Sequence, residues 1–420
     1  MSRNRSLVPS FLIFSSLVTA GAVAHADTFT ARCPVNSQVV SKPTMIGASL
    51  MGVEGFCGTL PPLASPVAEL LAKCQAATVA GSGWELNCDP RGMTYAMNTL
   101  ARQNWLLQTA RFDQQYLALN TIVGALRSPQ SPAVIPLWGR HDRWVAAYKV
   151  EARQIPPPNW FIDTLDARIA FPNADTVGSG GFTLSPNGVI IFGAASFLGQ
   201  YVQFISLTPM IRHSGEYVVM WDPPVGVTAP EGPPAGGAYL FARASGLTKP
   251  GERMDASKAQ HGVFDAMRLA GLGKRADLQR LFTEGTPDIA QRVQGRKPRG
   301  EDWAYYVVPI RDAQDNVLAM VQLSADDGSF EGVLVPDQPF SYQVVSLQQA
   351  EIAARSLLKA GESLKAGRLS YSASVKEAMS PHFPYYRFAV VDRAGREGAV
   401  VLVDPVSGRA FARAADEKTF

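Results

Sequence analysis

The chain has 420 residues, 46% hydrophobic and 18% charged, which is enough apolar material for two or three packed cores. Its 39 Lys and Arg nearly balance its 36 Asp and Glu, so composition gives no ground for a nucleic-acid or anionic-membrane partner. The 36 Gly and 30 Pro point to many turns rather than to disorder.

Residues 1–26 carry the pattern of an export signal. Arg3 and Arg5 precede a mostly apolar stretch from Phe11 to Val23, and Ala24-His25-Ala26 is a small-x-small cleavage site before Asp27. No later stretch reaches 18 unbroken apolar residues, so no integral membrane segment is expected in the mature protein. The expected location is the periplasm or the extracellular medium. All four cysteines are early: Cys33, Cys57, Cys74 and Cys88. In an oxidising compartment an even count points to two disulfides with three possible connectivities; the alternative is one bridge with free thiols, one of them reactive. Their spacings do not make a zinc site, and neither a metal nor a cofactor is expected.

Helices are expected over Ser65–Ala77, where Val67, Leu70, Leu71 and Cys74 share a face, over Pro90–Leu107, and over Leu117–Leu126. Ser131–Glu151 then reads as a β-hairpin organising the N-terminal part. Its strands are Ala133–Trp138 and Trp144–Val150, and its tip is Gly139-Arg140-His141-Asp142. Strands follow at Trp160–Phe171, Val189–Phe192, Gln200–Leu207 and Tyr217–Trp221. Residues 222–252, rich in Pro and Gly, read as a linker, which puts a domain boundary near 245.

The part after 245 contains an internal repeat. Trp303–Gly332 and Phe383–Ala412 align without a gap at an offset of 80, matching Tyr305 with Tyr385, Tyr306 with Tyr386, Val321 with Val401 and Gly328 with Gly408. Each copy reads as strand, turn, strand, Asp- and Gly-containing turn, short strand, after a helical segment at 259–283 or 347–358. The fold class expected for the whole chain is α+β, with repeat units at about 256–334 and 342–414.

The Ala-rich helix, the Tyr-rich strand and the final Val403-Asp404-Pro405-Val406-Ser407-Gly408 resemble the small PepSY-like module of exported bacterial proteins. The resemblance implies binding or inhibition of peptidases and protein–protein contact rather than catalysis. Asp326, Asp327 and Asp404 are expected at turns, held by local hydrogen bonds. In the part before 245, the order of helices and the run from Asp89 to Trp144 resemble a papain-like fold of the double-glycine-peptidase type, over roughly residues 45–210. That resemblance implies Cys57 as nucleophile, His141 as base and Asp163, or Asp166, as the residue orienting it. The sequence departs from the family where the chemistry sits. Arg143, which stays protonated, precedes Trp144 where the family has its base, and His141 lies about 6.5 Å further along the strand. Met51 stands where the family has an oxyanion-stabilising Gln. The alternative for the same residues is Cys57 in a disulfide, His141 on a solvated tip and Asp163 in a strand-edge hydrogen bond. His213, His261 and His382 are dispersed and read as surface or satisfied residues. The expectation is therefore an exported two-domain protein that binds a peptide or protein through a catalytically degenerate papain-like domain joined to a PepSY-like tandem. Its alternative is a secreted cysteine peptidase or acyl-transfer enzyme inhibited by its own C-terminal domain.

Overall fold

The computed structural model describes residues 26–31, 66–80, 89–100, 105–111, 114–128, 135–136, 145–154, 158–169, 188–200, 216–223, 226–229, 232, 237–296, 302–372 and 380–414. The fold is α+β. In chain order the first part contributes β1 (Ala26–Thr30), α1 (Pro66–Ala77), α2 (Pro90–Leu100), β2 (Leu106–Ala110), α3 (Gln115–Arg127), β3 (Ile135–Pro136), β4 (Ala146–Gln154) and β5 (Trp160–Ile169). It continues with β6 (Gly188–Gly193), α4 (Ala194–Gln200), β7 (Tyr217–Trp221) and β8 (Tyr239–Phe241). The second part begins with α5 (Ala256–Leu269) and α6 (Gln279–Glu284), then β9 (Thr286–Pro287), β10 (Gln291–Arg296), β11 (Asp302–Arg311), β12 (Val317–Ser324) and β13 (Phe330–Pro336). The last unit is α7 (Leu347–Arg355), β14 (Ser363–Leu364), β15 (Arg368–Ser372), β16 (Tyr385–Val391), β17 (Glu397–Val403) and β18 (Ala410–Ala414).

One large sheet carries strands from the whole described chain, in the order β1-β4-β5-β6-β13-β12-β11-β10-β15-β16-β17-β18. Strands β6 and β13 pair antiparallel over five residue pairs, from Gly188↔Pro336 to Phe192↔Gly332, so the ladder runs unbroken across residue 245. Within the stretch expected as a linker, β8 pairs parallel with β5, and the N–H groups of Leu247 and Thr248 both donate to the Asp327 carbonyl. The hydrophobic patterning explains the joint. Val189, Ile190, Ile191 and Phe192 form an apolar run, as expected of a strand buried on both faces. Ile190 and Phe192 pack in the main core with Leu334, while Ile191 packs in a second core with Val333 and α5.

The offset of 80 reappears in the backbone. Strands β12 and β17 begin at Val317 and Glu397, β13 and β18 at Phe330 and Ala410, and a register shift falls at Ile310/Arg311 and again at Val390/Val391. The turns match as well: Asp312 and Asp392 each accept from the backbone two and four residues on, and the left-handed positions fall at Asp315 and Gly395, then at Gly328 and Gly408. The two units face opposite ways. Tyr306, Val308 and Ile310 pack with α5; Tyr386, Phe388 and Val390 pack with α7. Following the paired residues Tyr306↔Arg292, Gln294↔Ser370 and Ser370↔Tyr385 across the sheet puts α5 on the face of Tyr385, opposite α7. Helix α3 packs in the main core with Leu165 and Phe192, on the face opposite α5, so α3, α5 and α7 alternate sides.

Three expectations are corrected. The segments read as one hairpin at Ser131–Glu151 belong to different sheets: β3 pairs with β7, in a small sheet with β2, and β4 pairs with β1 and β5. Two apolar β-prone runs separated by a polar break do not specify that they pair with each other. The helix expected to reach Leu107 ends at Leu100, and Leu106 begins β2. Asn98 closes this reversal by accepting from Trp105 N at 2.6 Å and donating to Trp105 O at 3.2 Å, and Trp105 is buried. Gln200, expected to open a strand, ends α4, and 201–207 lie outside the described residues.

Candidate functional site

At the rim of the large sheet where β6 and β12 end and β11 and β13 begin lies a cleft of 260 Å³. Separate stretches build it: the β6–α4 corner (Gly193, Ala195, Ser196), the segment after β8 (Ala242–Ala244), and the strand ends Trp303, Ala304, Ser324 and Phe330 with Glu331. The cleft is thus assembled only when the first and second parts of the chain share one sheet.

Of its two most distinctive side chains, one is placed by a β-bulge and the other by a facing glycine. Gln322 pairs with Gly332 but Leu323 pairs with Phe330, which leaves Glu331 as the extra residue of a β-bulge. The bulge turns the Glu331 carboxylate toward buried Gln322, whose Nε2 donates to it at 2.6 Å. Trp303 lies across from Gly295 in the β10–β11 ladder, with its ring where a Cβ on residue 295 would be only 2.2 Å away. Only glycine leaves room for the indole there. The same ring stacks on Tyr305 at 4.8 Å and meets Tyr371 edge-on at 6.4 Å. Burial first, then the neighbouring Tyr371 and Glu331, push the Tyr305 phenol well above its ordinary range, so it stays neutral and donates to the Pro381 carbonyl at 2.7 Å. At the mouth, exposed Arg243 pairs with Asp327 at 3.4 Å, and exposed Asp326 adds a second carboxylate.

Of the residues expected to form a catalytic triad, Cys57 and His141 lie outside the described residues, as do Cys33, Cys88 and Arg143. Asp163 is on β5 at a register shift, where Glu151 pairs with Thr164 and Ala152 with Ile162. Its Oδ1 accepts from Arg153 Nε at 3.1 Å; burial pushes the carboxyl above its usual range against the pull of that guanidinium. Asp166 is fully buried and gripped by both terminal nitrogens of Arg275, at 2.9 and 2.6 Å. Burial by itself would lower the Arg275 pKa, but Asp166 and Asp277 hold it above its ordinary value. Cys74 is buried in α1 and is not a free thiol. Asp327 and Asp404 sit at turns, each accepting from a backbone N–H two residues on at 3.0 Å.

His382, read from sequence as a surface or satisfied residue, is fully buried. Its Nδ1 meets Ser380 Oγ at 3.1 Å, and Nε2 rests against Gly332 without a well-formed hydrogen bond. Burial drives its pKa down to about 3. The sequence signal for this burial is slight: a His flanked by Pro381 and Phe383 just before an apolar strand. His261 is exposed on α5, and His213 lies outside the described residues. Among the described residues no group of three His, Cys, Asp or Glu is arranged to hold a metal, and no helix is long and apolar enough to cross a membrane.

No protein-family model matches the chain, and no curated protein sequence does. One solved structure aligned with it is the C-terminal domain of YpeB from Bacillus megaterium, at 7% identity and a TM-score of 0.18, over 73% of this chain and 98% of that domain. Nothing in these comparisons supports the papain-like expectation for residues 45–210.

Proposed function

We propose that this is an exported binding protein, acting in the periplasm or outside the cell, that holds a peptide or protein partner at the cleft between β6, β8 and the β11–β13 strand ends. The observation that carries the proposal is the cleft itself. It combines an indole, buried seryl groups and a bulge-directed carboxylate at a sheet rim, where backbone and side chains of a partner can be met together. The repeated helix-and-sheet units add support, since they resemble PepSY-like modules, which bind peptidases. The export pattern of residues 1–26 and the even cysteine count support the location.

The experiment is a selection of blocked random heptapeptides on the purified mature protein, run in parallel on Trp303→Ala. Enrichment of a defined subset by the wild type, lost in the variant, is the expected result. Equal enrichment by both proteins, or none by either, would reject the cleft as the binding site.

A further inference from the structure

We infer that the outer edge of β18 pairs with the same strand of a second copy of this chain, joining two large sheets into one across a two-fold axis at Ala412. The internal repeat points to the edge. At the 80-residue offset β18 corresponds to β13, and β6 covers the outer side of β13 from Gly332 to Pro336. Among the described residues β18 is the last strand of the sheet, and no strand pairs with its outer side. The hairpin geometry shows which groups line that side. Asp404 N donates to Arg409 O at 2.9 Å, and β18 pairs with β17 without a register shift, from Val403↔Ala410 to Ala399↔Ala414. Bonded and non-bonded pairs alternate along such a ladder, so Phe411 and Arg413 turn their backbone toward β17 while Ala410, Ala412 and Ala414 turn theirs outward. A row of outward N–H and C=O groups is a template for another strand. Strand β13 carries the Glu331 bulge, but β18 has no bulge, and no Pro or Lys interrupts it.

Self-complementarity selects a second copy as the occupant. With the axis at Ala412, Ala410 meets Ala414 of the second copy and Ala412 meets its own counterpart, pairs that together exchange about six hydrogen bonds. Between them Phe411 lies opposite Arg413 of the second copy, so the one charge on the strand meets an aromatic side chain rather than its like. Moving the axis by one residue removes this match. An axis at Phe411 sets Arg409 against Arg413, and an axis at Arg413 sets that arginine against itself. The other face fits as well. Val401 and Val403 pack with α7, and their partners across the β17–β18 ladder are Ala412 and Ala410. Small side chains thus line the seam on the face where the two-fold places α7 of both copies. The strand is short, so the dimer is expected to be weak, with a Kd on the order of 10 μM.

The test is sedimentation equilibrium of the intact protein between about 1 μM and about 500 μM, repeated on Ala412→Lys, on Ala412→Glu and on their equimolar mixture. Ala412 is exposed, so the monomer tolerates either charge, but the axis sets that charge against its own copy. The wild type is expected to dimerise, each variant alone to lose at least about ten-fold in affinity, and the mixture to recover it. Hydrogen exchange gives a second readout, in which the Ala412 amide slows as the dimer forms. A wild type that stays monomeric throughout would overturn the proposal, as would a dimer that both variants keep or one that the mixture fails to restore. Protection of the Ala412 amide already present in the dilute monomer would also refute it, because another segment of the same chain would then hold the edge.

Discussion

His382 is the residue whose chemistry differs most from what its sequence neighbourhood suggests. It is fully enclosed, and its neutral form is the one the core tolerates, with a pKa down to about 3. An unfolded chain protonates the same imidazole near pH 6.5. Between those values the unfolded state binds the extra proton and the folded state does not, so stability falls as pH drops from about 6.5 toward 3. The loss is on the order of a few kcal/mol. Urea midpoints at pH 7 and pH 4 should therefore fall more for the wild type than for His382→Gln, which cannot titrate; an equal fall would mean that the imidazole is not responsible. Little of this was legible in the sequence. Burial of a His is decided by what packs on it, and here that is the bare Cα of Gly332, fifty residues away in the chain. Glu331 escaped notice for a related reason. Its direction is set by a bulge, and a bulge depends on the register between two strands rather than on either strand alone. The Asp turns were legible because a side chain that accepts from the backbone two residues on is a local device.

At the level of elements, α1 and α2 form a clasp centred on Asp89. Its Oδ1 accepts from Gly92 N at 2.6 Å at the start of α2, and its Oδ2 accepts from Val79 N at 3.1 Å just past the end of α1. The helices are so close that a Cβ on Gly92 would sit 2.5 Å from the Cys74 carbonyl. Replacing Asp89 by Ala removes the helix cap and the link to Val79 together, leaving buried N–H groups without acceptors. The expected cost is about 1–3 kcal/mol in a urea titration. The helices themselves were readable from their apolar spacing. The 80-residue repeat was readable to the residue, and strand starts, left-handed turn positions and register shifts recur at the same offset. Which strands would pair was not, as the split of the supposed hairpin between two sheets demonstrates.

For the whole molecule, the decisive contact is the joint across residue 245. A Pro- and Gly-rich stretch with few apolar residues suggests two bodies on a tether, but local composition says nothing about distant strands. Here β6 and β13 complete each other's hydrogen bonding and their side chains fill cores on both faces of the sheet. A second tie lies beside it. Arg275, in the second part, grips Asp166 on β5 of the first part with two short bonds, and both groups are buried. Separating the parts would leave an unpaired buried-type carboxylate on one side and an exposed apolar strand edge on each. Protein cut at residue 245 should thus yield fragments that associate or aggregate rather than two monomeric, independently folded domains. The intact protein should melt in a single calorimetric transition, with its van't Hoff enthalpy equal to its calorimetric enthalpy. Two resolved transitions, or a soluble monomeric 246–420 fragment with native dispersion in its NMR spectrum, would show that the joint is dispensable. The consequence reaches the cleft, which draws residues from both sides of the joint. Any change that opens the β6–β13 ladder should abolish the peptide binding proposed for the cleft even when Trp303 and Glu331 are intact, so that binding and the single transition are expected to be lost together.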